Sequence, residues 1–260
     1  MSVLTVNAAS ASPYGPALLQ NITFSLQAGQ VLGLIGPNGA GKSTLLHAVA
    51  GGIAVDSGEI LLNDIPLSEY DRGHRARALA MQSQHAALNF PFSVEEVILL
   101  GRMPHASGRE VDRQILEEVL AATDTLRLRQ RPYTQLSGGE KQRVQLARAL
   151  AQLWRAADSP GRLLLLDEPN SALDLAHQRM VMERVDALAA QGCAVIVATH
   201  DFNLLAAHAD QLLVMQRGRQ HSHGNAETVL TPAMFAEVFQ VDVMIERHPV
   251  NGSPLVIQCS

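Results

Sequence analysis

Cysteine is scarce. Only Cys193 and Cys259 occur in 260 residues, too few for a disulfide framework. Cys193 sits inside an apolar run and reads as a small core residue. Both thiols suit a reducing compartment. Long apolar runs are missing too. No stretch reaches the roughly 18 residues that a membrane helix needs. The segment Met1-Ser2-Val3-Leu4-Thr5-Val6 lacks the charged start and long apolar centre of a secretion signal. A soluble chain is expected, which leaves docking onto a membrane protein open. Basic charge is not in excess: 20 Lys and Arg stand against 25 Asp and Glu, a net charge of −5. With no basic stripe, nucleic acid is not an expected partner.

What is present is a globular, rather apolar chain, 47% hydrophobic and 17% charged. Its length suits one large α/β domain or two smaller lobes. The most informative stretch is Gly36-Pro37-Asn38-Gly39-Ala40-Gly41-Lys42-Ser43-Thr44. The short apolar run Val31–Ile35 precedes it and a helical run through Ala50 follows. Strand, glycine-rich turn and helix form the context in which G-x-x-x-x-G-K-S binds phosphate. The glycines let successive N–H groups converge at a helix N-terminus, where donors and dipole favour an anion. Lys42 supplies a positive charge for the β- and γ-phosphates. The Ser43 hydroxyl can ligate a Mg²⁺ that bridges them.

Patterning organises the rest. Residues 3–7 and 20–28 read as strands around the turn Ser12-Pro13-Tyr14-Gly15-Pro16, and Ser57–Asn63 reads as another. From about 71 to 160 strand signals fade. Ser93 is placed to cap a helix whose face carries Val94, Val97, Ile98 and Gly101. Asp112 opens a second helix, with Ile115, Leu116, Val119 and Leu120 on one side. A third starts at Ser137-Gly138-Gly139-Glu140 and runs through Trp154. Residues 85–160 are expected to form a helical lobe inserted into the core. Leu163–Leu166 and Cys193–Ala198 read as buried strands, on either side of a helix capped by Ser171 and closed at Gly192. The expected fold is α/β: a mostly parallel sheet, an antiparallel N-terminal β portion and the helical insertion. Residues 1–220 form the main domain. Residues 221–260 form a small appendage: a helix over 227–240, then strands joined by a turn at Asn251-Gly252. His221 and His223 are expected in an exposed loop after Gly218.

Asp167-Glu168 follows the Leu163–Leu166 strand directly, and His200 follows the next strand. Ligands of open α/β sheets bind at the carboxyl ends of strands, so both can face the phosphate loop. Asp167 is assigned to Mg²⁺ and Glu168 to the attacking water as general base. His200 is assigned to the γ-phosphate or to the water. Ser137 and Glu140 have the spacing of a capping box. The two glycines between them leave a bare donor end, a second anion site that one nucleotide in one chain does not need.

The loop at 36–44, the string Leu136–Arg143, Leu163–Glu168, Ser171-Ala172-Leu173-Asp174 and His200 occur in that order. This resembles the nucleotide-binding subunit of ABC transporters over residues 3–220. The resemblance implies a head-to-tail homodimer with ATP between the phosphate loop of one copy and Ser137, Gly138 and Gly139 of the other. It implies that Tyr14 stacks on adenine, that Gln84 reaches Mg²⁺ and the water, and that Asp174 crosses the interface. Gln82 is an alternative to Gln84. Asn89–Arg102 resembles the importers for haem, iron–siderophore and vitamin B12. Its Phe-Pro-Phe form and the Ala156–Arg162 insertion look most like the haem branch. The implied partners are a permease, contacted by residues 84–105, and indirectly a periplasmic binding protein. The implied place is the cytoplasmic face of a bacterial inner membrane. Soluble ABC ATPases that act on DNA carry a long coiled coil, and no heptad run separates Gly36 from Ser137. Those acting on ribosomes usually carry two cassettes, whereas one is present.

Overall fold

Leu163–Leu166 contains no polar residue because the strand it forms is covered on both faces. Every residue from Leu163 to Asp167 is buried, the signature of a parallel strand inside a layered domain. The computed structural model describes residues 2–13, 15, 17–84, 90–155 and 161–259. Tyr14, most of the Ala156–Arg162 insertion and part of the stretch after Gln84 lie outside the described residues.

In chain order the strands are β1 (Ser2–Ala11), β2 (Leu19–Gln27), β3 (Val31–Ile35), β4 (Ser57–Leu62), β5 (Ile65–Pro66) and β6 (Leu79–Gln82). Then come β7 (Leu163–Asp167), β8 (Ala194–Ala198), β9 (Gln211–Gln216), β10 (Arg219–Gly224), β11 (Val243–Arg247) and β12 (Pro254–Gln258). Among the described residues ten strands form one sheet, ordered β5-β4-β1-β2-β10-β9-β3-β8-β7-β6. From β9 to β6 all neighbours are parallel. The pairings β1–β2, β1–β4 and β4–β5 are antiparallel, and β2 joins β10 in parallel. The helices are α1 (Lys42–Val49), α2 (Arg72–Ala78), α3 (Val94–Leu99), α4 (Arg109–Ala122), α5 (Gly138–Leu153), α6 (Leu175–Ala190), α7 (Phe202–His208), α8 (Ala226–Val229) and α9 (Pro232–Val238).

Side chains alternate across a strand, and the core divides accordingly. Leu164, Leu166, Val195 and Val197 join one apolar cluster with residues of α3 to α6 and α9. Leu163, Leu165, Ala194 and Ile196 join the other, with α1 and the antiparallel strands. Cys193 is fully buried in the first cluster, and burial pushes its thiol up to about 12.

Several expectations need correction. The stretch from 71 to 160 is not free of strands. Four residues, Leu79–Gln82, pair in parallel with Leu163–Leu166. A run that short carries no period, and only its partner makes it a strand. Helix α4 starts at Arg109, three residues before Asp112, after Gly108 at φ 85°. Asp174 caps α6, accepting from His177 N, whereas Ser171 Oγ donates to the Glu168 carbonyl. His221 and His223 lie on β10, not in a loop. His221 Nε2 is 3.3 Å from the Glu237 carboxylate, and His223 Nε2 is 2.8 Å from Gln211 Oε1. The stretch 227–240 divides into α8 and α9, because Thr231 recaps the chain with Pro232 in the first turn. Beyond it β11 and β12 pair antiparallel, Arg247 opposite Pro254. The connection between them, His248–Ser253, contains the expected turn residues Asn251 and Gly252, with Gly252 at φ 73°.

The helix starts at Ser93 and Ser137 follow their sequences closely. Both carry complete capping boxes, with Glu96 and Glu140 reaching back to the cap N–H.

Candidate functional site

The parallel register brings three strand ends to one edge. Leu34 of β3 lies beside Ala198 of β8, and Asp167 of β7 lies beside the same Ala198. The chain therefore leaves β3 into the phosphate loop, β7 into Glu168 and β8 into His200 at one place. They line a common cleft of about 310 Å³ with Lys42, Ser43, Gln84 and Asp167. Residues Pro37 to Thr44 all contribute to it, and Leu18 adds an apolar wall that no motif announces.

The loop closes on itself. Lys42 Nζ donates to the Gly36 carbonyl at 2.7 Å. The lysine is 8% exposed. Burial lowers its pKa, opposed by the charges of Glu168 and then Asp167. Gly36 is fixed by a close approach: a Cβ there would lie 2.3 Å from the Met215 carbonyl of β9.

Glu168 is an unusual carboxyl. Its backbone has φ 50°, a left-handed conformation that costs a non-glycine residue about 1–2 kcal/mol. A 2.8 Å bond from its N–H to the Ala198 carbonyl holds it there. On the other side Gln142 Nε2 donates to the Glu168 carbonyl at 2.6 Å. The side chain is 11% exposed, and Oε1 lies 3.2 Å from His200 Nε2. That contact misses hydrogen-bond geometry, so Oε1 is buried without a donor. Burial raises the Glu168 pKa; Lys42 opposes this, Asp167 adds to it, and a hydrogen bond from the His200 backbone N–H lowers it a little. Burial lowers the His200 pKa, and the charge of Lys42 lowers it further. A buried carboxyl of raised pKa beside an imidazole of lowered pKa can take a proton from a small nucleophile.

This perturbation has a measurable consequence for stability. A raised folded-state pKa means that the folded chain keeps a proton the unfolded chain releases. The stability from Glu168 is therefore full below the ordinary glutamate pKa and is lost as pH rises through the raised value. Glu168→Gln, which never ionises, is expected to melt above the wild type at about pH 8, with the gap closing near pH 4. Thermal melts of both proteins across that range check this.

Gln84 is exposed and lines the cleft, whereas Gln82 is buried on β6 and does not. Ser137, Gly138, Gly139 and Asp174 do not line it. Gly138 borders a neighbouring groove that shares Gln84 and Asp167 with the first. Gly139 has a local reason to be glycine: a Cβ would come 2.7 Å from the Ala172 carbonyl. Asp174 is engaged by its own helix at His177 N, 2.9 Å away. Gln142 escaped the sequence reading. Besides donating to the Glu168 carbonyl, it accepts from the Ala172 N–H at 3.1 Å. Only its place on the helix that follows Ser137 hinted at this.

The ABC transporter family profile matches residues 19–171. The chain belongs to this family. Among curated relatives it is 48% identical to the hemin import ATP-binding protein HmuV of Pseudomonas entomophila (strain L48), over 92% of this chain and 93% of that protein. It is 47% identical to HmuV of Pseudomonas aeruginosa, with 94% of each covered. Among solved structures it resembles an ATP-binding cassette seen as a post-hydrolysis dimer with ADP and Pi. The TM-score is 0.75 at 25% identity, over 85% of this chain and 98% of that one. The α/β P-loop fold expected from the sequence is thus the fold of ABC ATPase domains, and ATP is the nucleotide this family binds. No described helix of this ABC protein is long and apolar enough to cross a membrane.

Proposed function

We propose that this chain is the ATP-hydrolysing subunit of an importer for haem, acting on a membrane permease. The observation that carries the reading is the single cleft that gathers Lys42, Ser43, Gln84, Asp167, Glu168 and His200, in a chain so similar to HmuV proteins along nearly its whole length.

The loop N–H groups and Lys42 hold the triphosphate. Glu168, which lines the cleft, accepts the proton of the attacking water. His200 stays neutral and positions the γ-phosphate or the water. Tyr14 stacks on adenine. The donors available for Mg²⁺ are the Ser43 hydroxyl, the Asp167 carboxylate and the Gln84 amide oxygen. This oxygen set, bordering one cleft, fits a hard divalent cation. When bound, Mg²⁺ supplies charge neutralisation at the β- and γ-phosphates.

The tip at Ser137, Gly138 and Gly139 does not line the cleft of its own chain. In the proposed cycle it reaches the γ-phosphate in a second copy, head to tail, with Asp174 at the interface. ATP bridges the copies, and hydrolysis removes the bridge. The permease contact falls on 84–105, where Phe90 is 67% and Met103 77% exposed. Apolar surface of this kind suits a partner. The subunit then sits at the cytoplasmic face of the inner membrane, with a periplasmic binding protein delivering cargo on the other side.

Uptake into vesicles holding the chain with its permease and binding protein tests this. ATP-driven uptake of haem, without uptake of ferric siderophore or cobalamin, is expected. Uptake of one of the latter instead would reassign the cargo. ATP hydrolysis with no uptake of any would point away from import.

A further inference from the structure

Away from the nucleotide cleft, one imidazole joins three elements. The Asp174 carboxylate accepts from the His177 backbone N–H at 2.9 Å. The same oxygen lies 2.8 Å from Nδ1 of the His177 ring. A carboxylate only accepts, so the proton is on Nδ1. The other ring nitrogen lies 2.6 Å from the Arg143 guanidinium. A guanidinium only donates, so Nε2 offers its lone pair. A proton on Nδ1 and a lone pair on Nε2 satisfy these two contacts, whereas the contact of Nε2 with Asp124 calls for a proton on that nitrogen. Asp124, just after α4, completes the group. Its Oδ2 accepts from Arg143 at 2.7 Å and lies 3.2 Å from Nε2. The Asp124 carbonyl accepts from Arg143 as well, at 2.9 Å. Arg143 is 11% exposed and His177 26%, so the contacts are partly shielded from water.

The placement matters more than the count. Arg143 lies on α5, whose tip is Ser137-Gly138-Gly139. Asp174 ends the segment that begins at Glu168. The preceding α5 residue, Gln142, already holds the first part of that segment, at the Glu168 carbonyl and the Ala172 N–H. His177 holds its far end. We propose that His177 is a positioning residue for ATP hydrolysis, a bridge that makes the tip of α5 and the segment from Glu168 to Asp174 move as one body. This rests on the proposed reading, in which both reach nucleotide across two copies. Removing the bridge leaves the phosphate loop intact, because His177 does not line the cleft. It lets the two tips drift apart when the dimer closes.

The test compares ATPase kinetics of the full-length wild type, Arg143→Ala, His177→Ala and the double variant. His177→Ala is expected to lower kcat about tenfold, the scale of one lost charge-assisted hydrogen bond, and Arg143→Ala, which also loses its bonds to Asp124, at least as much. KM for ATP should stay within about twofold, since uniform binding is untouched. The double variant should be no slower than Arg143→Ala, because the residues act as one link. His177→Asn, whose amide restores a donor toward Asp174 only, should recover none or a small part of kcat and serves if the alanine variant unfolds. An unchanged kcat, a change confined to KM, or losses that multiply to about a hundredfold would each overturn the bridge. An active wild type that is silenced by Glu168→Gln, beside a fully active His177→Ala, overturns this inference alone. A wild type that does not hydrolyse ATP overturns the underlying reading with it.

Discussion

Glu168→Gln is expected to slow ATP turnover by about a hundredfold or more while ATP still binds. The amide keeps the size of the carboxyl and loses its basicity. Nothing that holds the residue in place depends on the charge. The backbone is fixed by its N–H on the Ala198 carbonyl and by Gln142 on its own carbonyl, and both bonds survive. The binding contacts expected for triphosphate come from the loop and Lys42, which also survive. A defect in kcat with KM nearly unchanged therefore assigns Glu168 to the proton transfer. Equilibrium binding of a fluorescent ATP analogue gives the second half of the measurement. A variant as fast as the wild type would falsify the assignment and move attention to His200, 3.2 Å away. A variant that no longer binds nucleotide would mean that the charge of Glu168 balances Lys42 instead.

Phe235→Ala should cost about 3–5 kcal/mol of stability, the range for removing a buried aromatic ring. Phe235 is 1% exposed. Its ring lies 4.9 Å from Phe202, edge to face, and 5.6 Å from Phe239. Phe202 begins the helix that follows His200, so the C-terminal segment is packed under the site. The deletion leaves a hole that the ring of Phe239 cannot fill without losing its own contact with Phe202 at 5.0 Å. Urea denaturation is expected to show a lower midpoint with an unchanged slope. Below the transition, kcat should also fall, since Phe202 positions the turn that carries His200. A loss below about 1 kcal/mol would mean that the segment folds around the gap.

How far the sequence could be read depended on how local each cause was. The phosphate loop, the capping boxes at Ser93 and Ser137, and the buried runs of β7 and β8 need only neighbours in the chain. Their residues announce them. The strand Leu79–Gln82 was invisible because four residues have no period, and pairing with Leu163–Leu166 alone makes them a strand. Ser171 looked like a cap because Ser is a good one. Asp174 took the place because its carboxylate reaches the His177 N–H in the folded turn. His221 and His223 read as loop residues because a polar strand between two others carries no apolar signal.

The same division holds for function. Glycine spacing alone pointed to a phosphate loop, because a phosphate needs converging N–H groups, and the order of motifs carried the resemblance to ABC proteins that the family profile bears out. Tertiary structure decided which groups share a cleft, that Glu168 is strained and buried, and that Gln142 and His177 tie α5 to the segment after β7. Those facts come from parallel register and from contacts between distant elements, and no window of sequence contains both partners.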